Sequence, residues 1–373
     1  MNFSLNDDQR LLKDSLDKFV RQRYGDEHRR ATIHQKQSLD PAIWAQFSDL
    51  GWLALPFNEA DGGLGGSLVD TMIVMEAFGR GLIVEPYVAS VVLGGGCLQR
   101  ARDSRQRELL QALMAGHLQL ALAIDEYEQI HDLTEISTQA AAVAGGYQLS
   151  GRKCCVYNGD RADQLIVLAR TAGEAGSRHG LTAFLVAADA PGVTRMPHRT
   201  VDGQRAAEIH FDQVSVGPEQ IIGQLHEGHD LVAEVIATGM LAMAAEALGI
   251  MHVLLYSTVD YTKTRQQFGV PIASFQALQH RMANMFMAYE QSYSLLLAAT
   301  LKSQEQHSDA AQAVHALKAQ IGISGRLIAQ EAIQLHGGMG MTDELAIGHY
   351  AKRLLAIDAS FGNADAHLQA MLC

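Results

Sequence analysis

The chain has little of what disulfide frameworks, metal centres or nucleic-acid grips are made from. Four cysteines occur in 373 residues, at Cys97, Cys154, Cys155 and Cys373. Their spacing fits neither a zinc site nor a disulfide framework, so a reducing, cytoplasmic setting is expected. Cys154 and Cys155 are adjacent and should point to opposite faces of a strand. Cys373 is the last residue, and prenylation needs three more after it. The His226/His229 pair is too sparse a set of ligands for a metal, and no metal site is assigned. Basic blocks are missing and the net charge is −12, which argues against non-specific nucleic-acid binding. The opening Met-Asn-Phe-Ser-Leu-Asn-Asp-Asp is polar and acidic rather than a signal peptide. No apolar run reads as long enough to span a bilayer.

What is present is the composition of a folded protein. Apolar residues make up 48% and charged residues 19%, enough to bury a core, and the length leaves room for two or three domains. The negative balance does not exclude an anionic cofactor, which needs only local positive charge and backbone N–H groups.

The hydrophobic period changes twice along the chain. Residues 1–117 read as helical, with Leu11, Leu12, Leu16 and Phe19 on one stripe and Asp40-Pro41 opening a later helix. The glycine cluster from Asp61 to Gly66 reads as a turn between helices. No strand precedes it and no Lys-Ser/Thr follows, so the phosphate-cradle pattern is incomplete. Across 118–225 the period is two, with strand candidates at 118–124, 138–144, 147–149, 164–169, 181–186, 193–196 and 207–211. Gly-Gly, Asn-Gly, Pro-Gly and Asp-Gly turns separate several of them, as in a small antiparallel sandwich or barrel. From 226 to 373 the pattern is helical again. One helix over 230–267 would be about 55 Å long, stopped by Gly269 and Pro271. Others are expected over 276–303, 308–335 and 343–371, together a four-helix bundle.

Two segments in the last region stand out. Arg265-Gln-Gln-Phe-Gly269 closes the long helix, and about seventy residues later comes Gln334-Leu-His-Gly-Gly-Met-Gly340. Arg265 at a helix C-terminus is compatible with the helix dipole and can hold a pyrophosphate through a forked pair of hydrogen bonds. Phe268 offers a flat apolar surface. Gly337, Gly338 and Gly340 let backbone N–H groups approach a ligand, and Gln334 supplies a neutral donor and acceptor. Each also has an ordinary reading, as a helix-capping Arg, a core Phe and a glycine turn. The pair in this order favours a cofactor.

The two motifs, with Pro56-Phe-Asn-Glu-Ala-Asp-Gly-Gly-Leu-Gly65, Leu149-Ser-Gly-Arg-Lys153, and Phe275-Gln-Ala-Leu-Gln279 followed by Met282-Ala-Asn-Met285, resemble the acyl-CoA dehydrogenase family over essentially the whole chain. The ending from His349 to Gly362 is most similar to pimeloyl-CoA dehydrogenase small subunits. The resemblance implies an α+β fold with an N-terminal helical domain (1–117), a central antiparallel β domain (118–225) and a C-terminal four-helix bundle (226–373). It implies FAD, held by Arg265, Gln267, Phe268, Ile272, Gln276, Gln334, Gly337 and Gly338, with the two segments on opposite sides of a subunit interface. It further implies an acyl-CoA substrate, transfer of electrons to an electron-transfer flavoprotein, and a homo- or hetero-oligomer.

Departures from the family pattern fall where the chemistry would be. The run Asp125-Glu-Tyr-Glu-Gln-Ile-His131 replaces a loop that in the family lies along the flavin and its phosphates: Asp125 stands for its Thr and Gln129-Ile130-His131 for its Ala-Gly-Ser, and the carboxylates of Asp125, Glu126 and Glu128 near phosphates would cost binding unless they point away. Cys155-Val-Tyr157 replaces a Trp-Ile-Thr wall. The reaction removes the α-proton of a thioester to a carboxylate while the β-hydrogen leaves as hydride to the flavin. The family places that glutamate in one of two positions, which here are Phe361 and the Gly239/Met240 pair. Glu246 is the one formally charged residue between Val235 and Tyr256, and no neighbour one turn away can pair with it. Burial would suit it to be the base. Alternatively it pairs with an Arg or Lys from another helix and fixes packing. Asp358 ranks below it, as a residue facing solvent, and His336 is read as supporting the residues that touch the cofactor. Three functional classes stay open: the dehydrogenase or a half-site subunit of one, a non-catalytic partner without flavin, and a flavin monooxygenase or oxidase on the same scaffold.

Overall fold

A computed structural model describes residues 5–34, 39–101, 103–127 and 131–372. The readings of the first four residues, Glu128, Gln129, Ile130 and Cys373 lie outside that set. The regular elements described in the N-terminal region are helices: α1 (Asp7–Arg23), α2 (Asp26–His34), α3 (Pro41–Asp49), α4 (Leu68–Gly81), a π-helical stretch Tyr87–Gly95 running into α5 (Gly96–Gln99), and α6 (Ser104–Met114). Local chemistry sets these boundaries. Asn6 and Gln9 form a reciprocal capping box at the start of α1, and Asp40 accepts from Ala42 N ahead of Pro41. Leu16 and Phe19 of the expected stripe are buried, whereas Leu11 is 68% exposed. The glycine cluster is a turn closed on itself. Gly63, Gly65 and Gly66 donate their N–H groups to the carbonyls of Asn58, Phe57 and Leu55, which leaves those three donors no role in holding a phosphate.

The central region forms one sheet of eight strands: β1 (Leu120–Ala123), β2 (Gln139–Val143), β3 (Gly146–Tyr157), β4 (Gln164–Arg170), β5 (Leu181–Ala187), β6 (Val193–Arg199), β7 (Arg205–Val216) and β8 (Ile221–Ile222). They run in the order β6-β7-β3-β2-β4-β5-β8, with β1 paired to β4. The sheet is not purely antiparallel, because β1 lies parallel to β4 from Leu120↔Gln164 to Ala123↔Val167. Strand β3 is much longer than its period-two stretch because its pairing with β7 shifts register between Lys153 and Val156. Cys155 sits in that bulge at φ 48, exposed, with Cys154 buried behind it. The two thiols diverge because of a bulge rather than simple alternation.

The C-terminal region holds α7 (Gly228–Thr264), a two-strand hairpin β9 (Gln266–Gln267) and β10 (Val270–Pro271), α8 (Gln276–Gln304), α9 (Ala310–His336), α10 (Ile347–Ala359) and α11 (Ala364–Ala370). Helix α7 is long and apolar enough to cross a bilayer by length and composition, contrary to the reading above. However, 67% of its apolar window is buried inside the protein, as for a core helix. The single helix expected over 343–371 is two, because Phe361 and Gly362 both take positive φ and turn the chain between α10 and α11.

Contacts gather the chain into two compact units, one of Met1–Ala31, Ser67–Ile83 and Met240–Cys373, the other of Thr32–Gly66 and Val84–Gly239. In the second unit the inward residues of the sheet, among them Leu149, Leu165, Phe184, Ile209 and Phe211, form a continuous apolar core. In the first, α4 and α7 cross at backbone contact. A Cβ on Gly79 would lie 2.0 Å from Glu246 O, and one on Gly249 would lie 2.0 Å from Glu76 O. Two glycines, one on each helix, permit this approach.

Candidate cofactor site

The end of α7, the β9–β10 hairpin, the start of α8 and the end of α9 enclose a cleft of about 680 Å³. Of the residues singled out in the sequence, Arg265, Gln267, Ile272, Gln334, Gly337 and Gly338 line it. The two motifs therefore meet within one chain. This corrects the expectation that they face each other across a subunit interface. Phe268 and Gln276 are not in the lining. Phe268 is 93% exposed at the hairpin tip, and Gln276 is exposed at the first turn of α8.

The hairpin explains both the Arg and the Phe. Gln267 pairs with Val270, leaving Phe268-Gly269 as a two-residue loop whose φ angles are 54 and 79, the left-handed pair such loops require. Asn-Gly is the favoured solution, and a phenylalanine at positive φ is strained. Arg265 follows α7 directly, its N–H still bonded to Tyr261 O at 2.9 Å. Among the described residues its exposed guanidinium has no ion-pair or hydrogen-bond partner. An uncompensated fork at the rim of a cleft suits a phosphate or carboxylate.

Helix α9 supplies the other side. Gly337 caps it at φ 60, ψ −142, a region open to glycine alone, and donates its N–H to Gln334 O. That donor is therefore used by the protein, which corrects its expected role toward a ligand. A Cβ on Gly337 or Gly338 would meet no atom within 4 Å, so no protein side chain claims the space beside them. Gly340, by contrast, packs against Ile333.

Sequence reading missed Tyr261, Leu278, Arg281, Leu335 and Met339 and undervalued His336, all of which line the cleft. Tyr261 lies one helical turn before Arg265, a spacing that could have found it. Its ring stacks on His336 with centroids 4.4 Å apart at 27°. His336 is 5% exposed, and its Nδ1 lies 2.8 Å from Ala332 O. Burial holds its pKa below the usual histidine value, although that carbonyl pulls the other way. Arg281 donates Nε–H to Glu331 and is thus partly compensated, unlike Arg265.

The carboxylates expected to carry chemistry are all engaged. Glu246 is 3% exposed and receives both Nε and Nη2 of Arg353 from α10, at 2.6 and 2.7 Å. The partner that α7 lacks comes from another helix, so Glu246 is not the unpaired, poorly solvated acid that a base would be. Asp358 is buried rather than solvent-facing. It accepts from Arg326 Nη2 at 3.0 Å and Ala364 N at 3.2 Å. Glu126 points inward, accepting from the N–H and hydroxyl groups of Ser137 and Thr138 and from Lys153 Nζ at 2.7 Å. Burial by itself would raise its pKa, but Lys153 and the hydroxyls outweigh that and hold it down at about 2. Burial also pulls Lys153 downward. The ionised pair is the state that governs, because so many donors converge on the carboxylate. Asp125 accepts from His131 N at 3.0 Å. No cluster of metal-ligating side chains occurs among the described residues.

Comparison with known proteins matches three family models along the chain: acyl-CoA dehydrogenase, N-terminal domain over residues 6–117, middle domain over 121–214 and C-terminal domain over 226–372. A probable acyl-CoA dehydrogenase, YngJ of Bacillus subtilis, is 27% identical, covering 98% of this chain and 97% of its own. The ChsE4-ChsE5 complex from Mycobacterium tuberculosis contains a chain 26% identical, with a TM-score of 0.89 and coverage of 100% and 98%. A structure described as the FAD complex of PigA superposes with a TM-score of 0.92 at 25% identity, again covering 100% and 98%.

Proposed function

Because the chain belongs to the acyl-CoA dehydrogenase family, we propose that it binds FAD and serves as a subunit of an enzyme that forms an α,β double bond in a CoA thioester. The cleft carries the cofactor part of this reading. Among the described residues Arg265 is unpaired, Arg281 lines the same cleft, and the space beside Gly337 and Gly338 is open. These features fit the adenosine-diphosphate end of FAD, with the guanidinium groups taking the phosphates. Bound FAD would supply the acceptor for the β-hydride. Phe268 and Gln276, which are exposed and outside this cleft's lining, are then free to touch a cofactor or chain belonging to another subunit.

The missing base makes the chain a half-site subunit. Phe361 and Gly239/Met240 occupy the two positions where the family resemblance puts the glutamate, and Glu246 and Asp358 are consumed by Arg353 and Arg326. The chain's own residues hold and orient. A carboxylate from a partner subunit takes the α-proton. The likeness to a chain of the ChsE4-ChsE5 complex supports this arrangement. An electron-transfer flavoprotein is the proposed onward acceptor.

The test is spectroscopic. The purified chain, alone or with a longer homologue that retains the glutamate, should hold FAD. Arg265→Met should weaken FAD binding about 10- to 100-fold, the loss of a charge-assisted contact worth about 1.5–3 kcal/mol. Acyl-CoA should bleach the flavin only when the partner is present. A stable protein that never takes up flavin would end the cofactor reading. Bleaching by the chain alone would end the half-site reading.

A further inference from the structure

The cleft is not electrostatically uniform. Its hairpin and α8 segments contribute donors, Arg265 and Arg281. Its α9 segment is the C-terminal end of a helix, where the peptide dipoles leave partial negative charge. At that end sits a buried imidazole whose protonation pattern the geometry fixes. A main-chain carbonyl can only accept, so Nδ1 of His336, 2.8 Å from Ala332 O, carries the proton. In the neutral ring Nε2 is then a bare lone pair. Nε2 has no hydrogen-bond partner among the described residues. The carbonyl at one nitrogen and the Tyr261 ring on one face hold the imidazole in place, so this acceptor is preorganised in the cleft wall.

We infer that His336 is a specificity residue of this cleft, a hydrogen-bond acceptor that recognises an N–H or O–H donor on the adenosine half of the ligand while Arg265 and Arg281 hold its phosphates. The inference rests on the cleft being the adenosine-diphosphate site proposed above. Two sources offer that donor, the 6-amino group of adenine and a ribose hydroxyl. A ligand able to present only acceptors at this wall would leave Nε2 unpaired and meet the negative end of α9, so the cleft discriminates by polarity as well as by charge.

The experiment uses flavin-free full-length chain and isothermal titration with ADP, 2′-deoxy-ADP and the diphosphate of purine riboside, which lacks the 6-amino group. Two variants remove the Nε2 acceptor differently. His336→Phe keeps a ring against Tyr261, and His336→Asn keeps a donor for Ala332 O, so agreement between them excludes a folding artefact. Both should weaken ADP about 5- to 10-fold, the size of one lost neutral hydrogen bond. One analogue should bind the unaltered chain that weakly already and lose nothing further in either variant, which names the donor. ADP binding unchanged in both variants, while Arg265→Met still weakens it, would overturn the role of His336 and leave the cofactor reading intact. If the unaltered chain bound neither ADP nor FAD, both would fall together.

Discussion

The chain uses the dipeptide Phe-Gly twice in the same backbone shape and for opposite ends. Phe268-Gly269 takes φ 54 and 79, and Phe361-Gly362 takes φ 56 and 98. The first is a hairpin tip with its ring 93% exposed and only Phe275, edge-on at 6.2 Å between centroids, for company. The second is half-buried between α10 and α11, and the protein fastens it. Lys318, fully buried on α9, donates to Gly362 O at 2.7 Å and Asp358 O at 2.9 Å. His367 Nε2–H donates to Phe361 O at 3.0 Å, which leaves its Nδ1 to accept from His315 Nδ1–H at 2.8 Å. Gly322 leaves room for the Asp358 carboxylate, which would lie 2.1 Å from a Cβ there. A strained residue persists only where its surroundings over-determine it. At Phe361 those surroundings are internal. At Phe268 no such surroundings occur among the described residues, which is the physical case for a ligand or second subunit there.

The largest effect should come from unfastening the internal turn. Lys318→Met strands two buried carbonyls and should destabilise by about 3 kcal/mol in urea unfolding, whereas Phe268→Ala should stay within about 0.5 kcal/mol. Equal losses would erase the distinction between the turns.

A pH series sharpens it. Burial lowers the Lys318 pKa from 10.5 to about 8, with Asp358 opposing. Between those values the unfolded chain binds more protons than the folded one, so stability rises with pH. The stabilising contribution is complete above 10.5 and is lost as pH falls through 8. The unaltered chain should therefore gain on Phe268→Ala by nothing and on Lys318→Met steadily across pH 8 to 10.5. A parallel course for all three would refute the assignment.

The smallest contrast lies in the glycines. Gly269→Ala meets open space and only the cost of positive φ, about 1 kcal/mol. Gly362→Ala carries that cost and also brings a Cβ to 3.2 Å from His367 Nε2, so its thermal midpoint should fall further.

Much of this was legible from residue order. Period changes marked the helical and strand regions, and two spaced motifs marked the cleft, because caps, turns and glycine-rich bends are local chemistry. The misses have one cause. Glu246 has no partner on α7, so no helical spacing could reveal Arg353, more than a hundred residues away. Asp358 read as a solvent residue because the Arg326 and Ala364 groups that hold it lie on other elements. Tyr261 and Arg281 were missed, since what they line exists only once α7, α8 and α9 are packed. The break of the last helix hid in Phe361, because a bulky residue in left-handed conformation contradicts its local preference.

By itself the sequence determined which segments are helix and strand, where two of the turns lie and which family the chain resembles. Those features depend on neighbours a few residues away. The tertiary structure alone decided which charges are spent and which are free: it joined Glu246 to Arg353 and Asp358 to Arg326, and left Arg265 and the Nε2 atom of His336 without partners among the described residues. Ion pairs and hydrogen bonds act over a few ångströms of space and not over distance along the chain, so only the folded arrangement can show what remains available to a ligand.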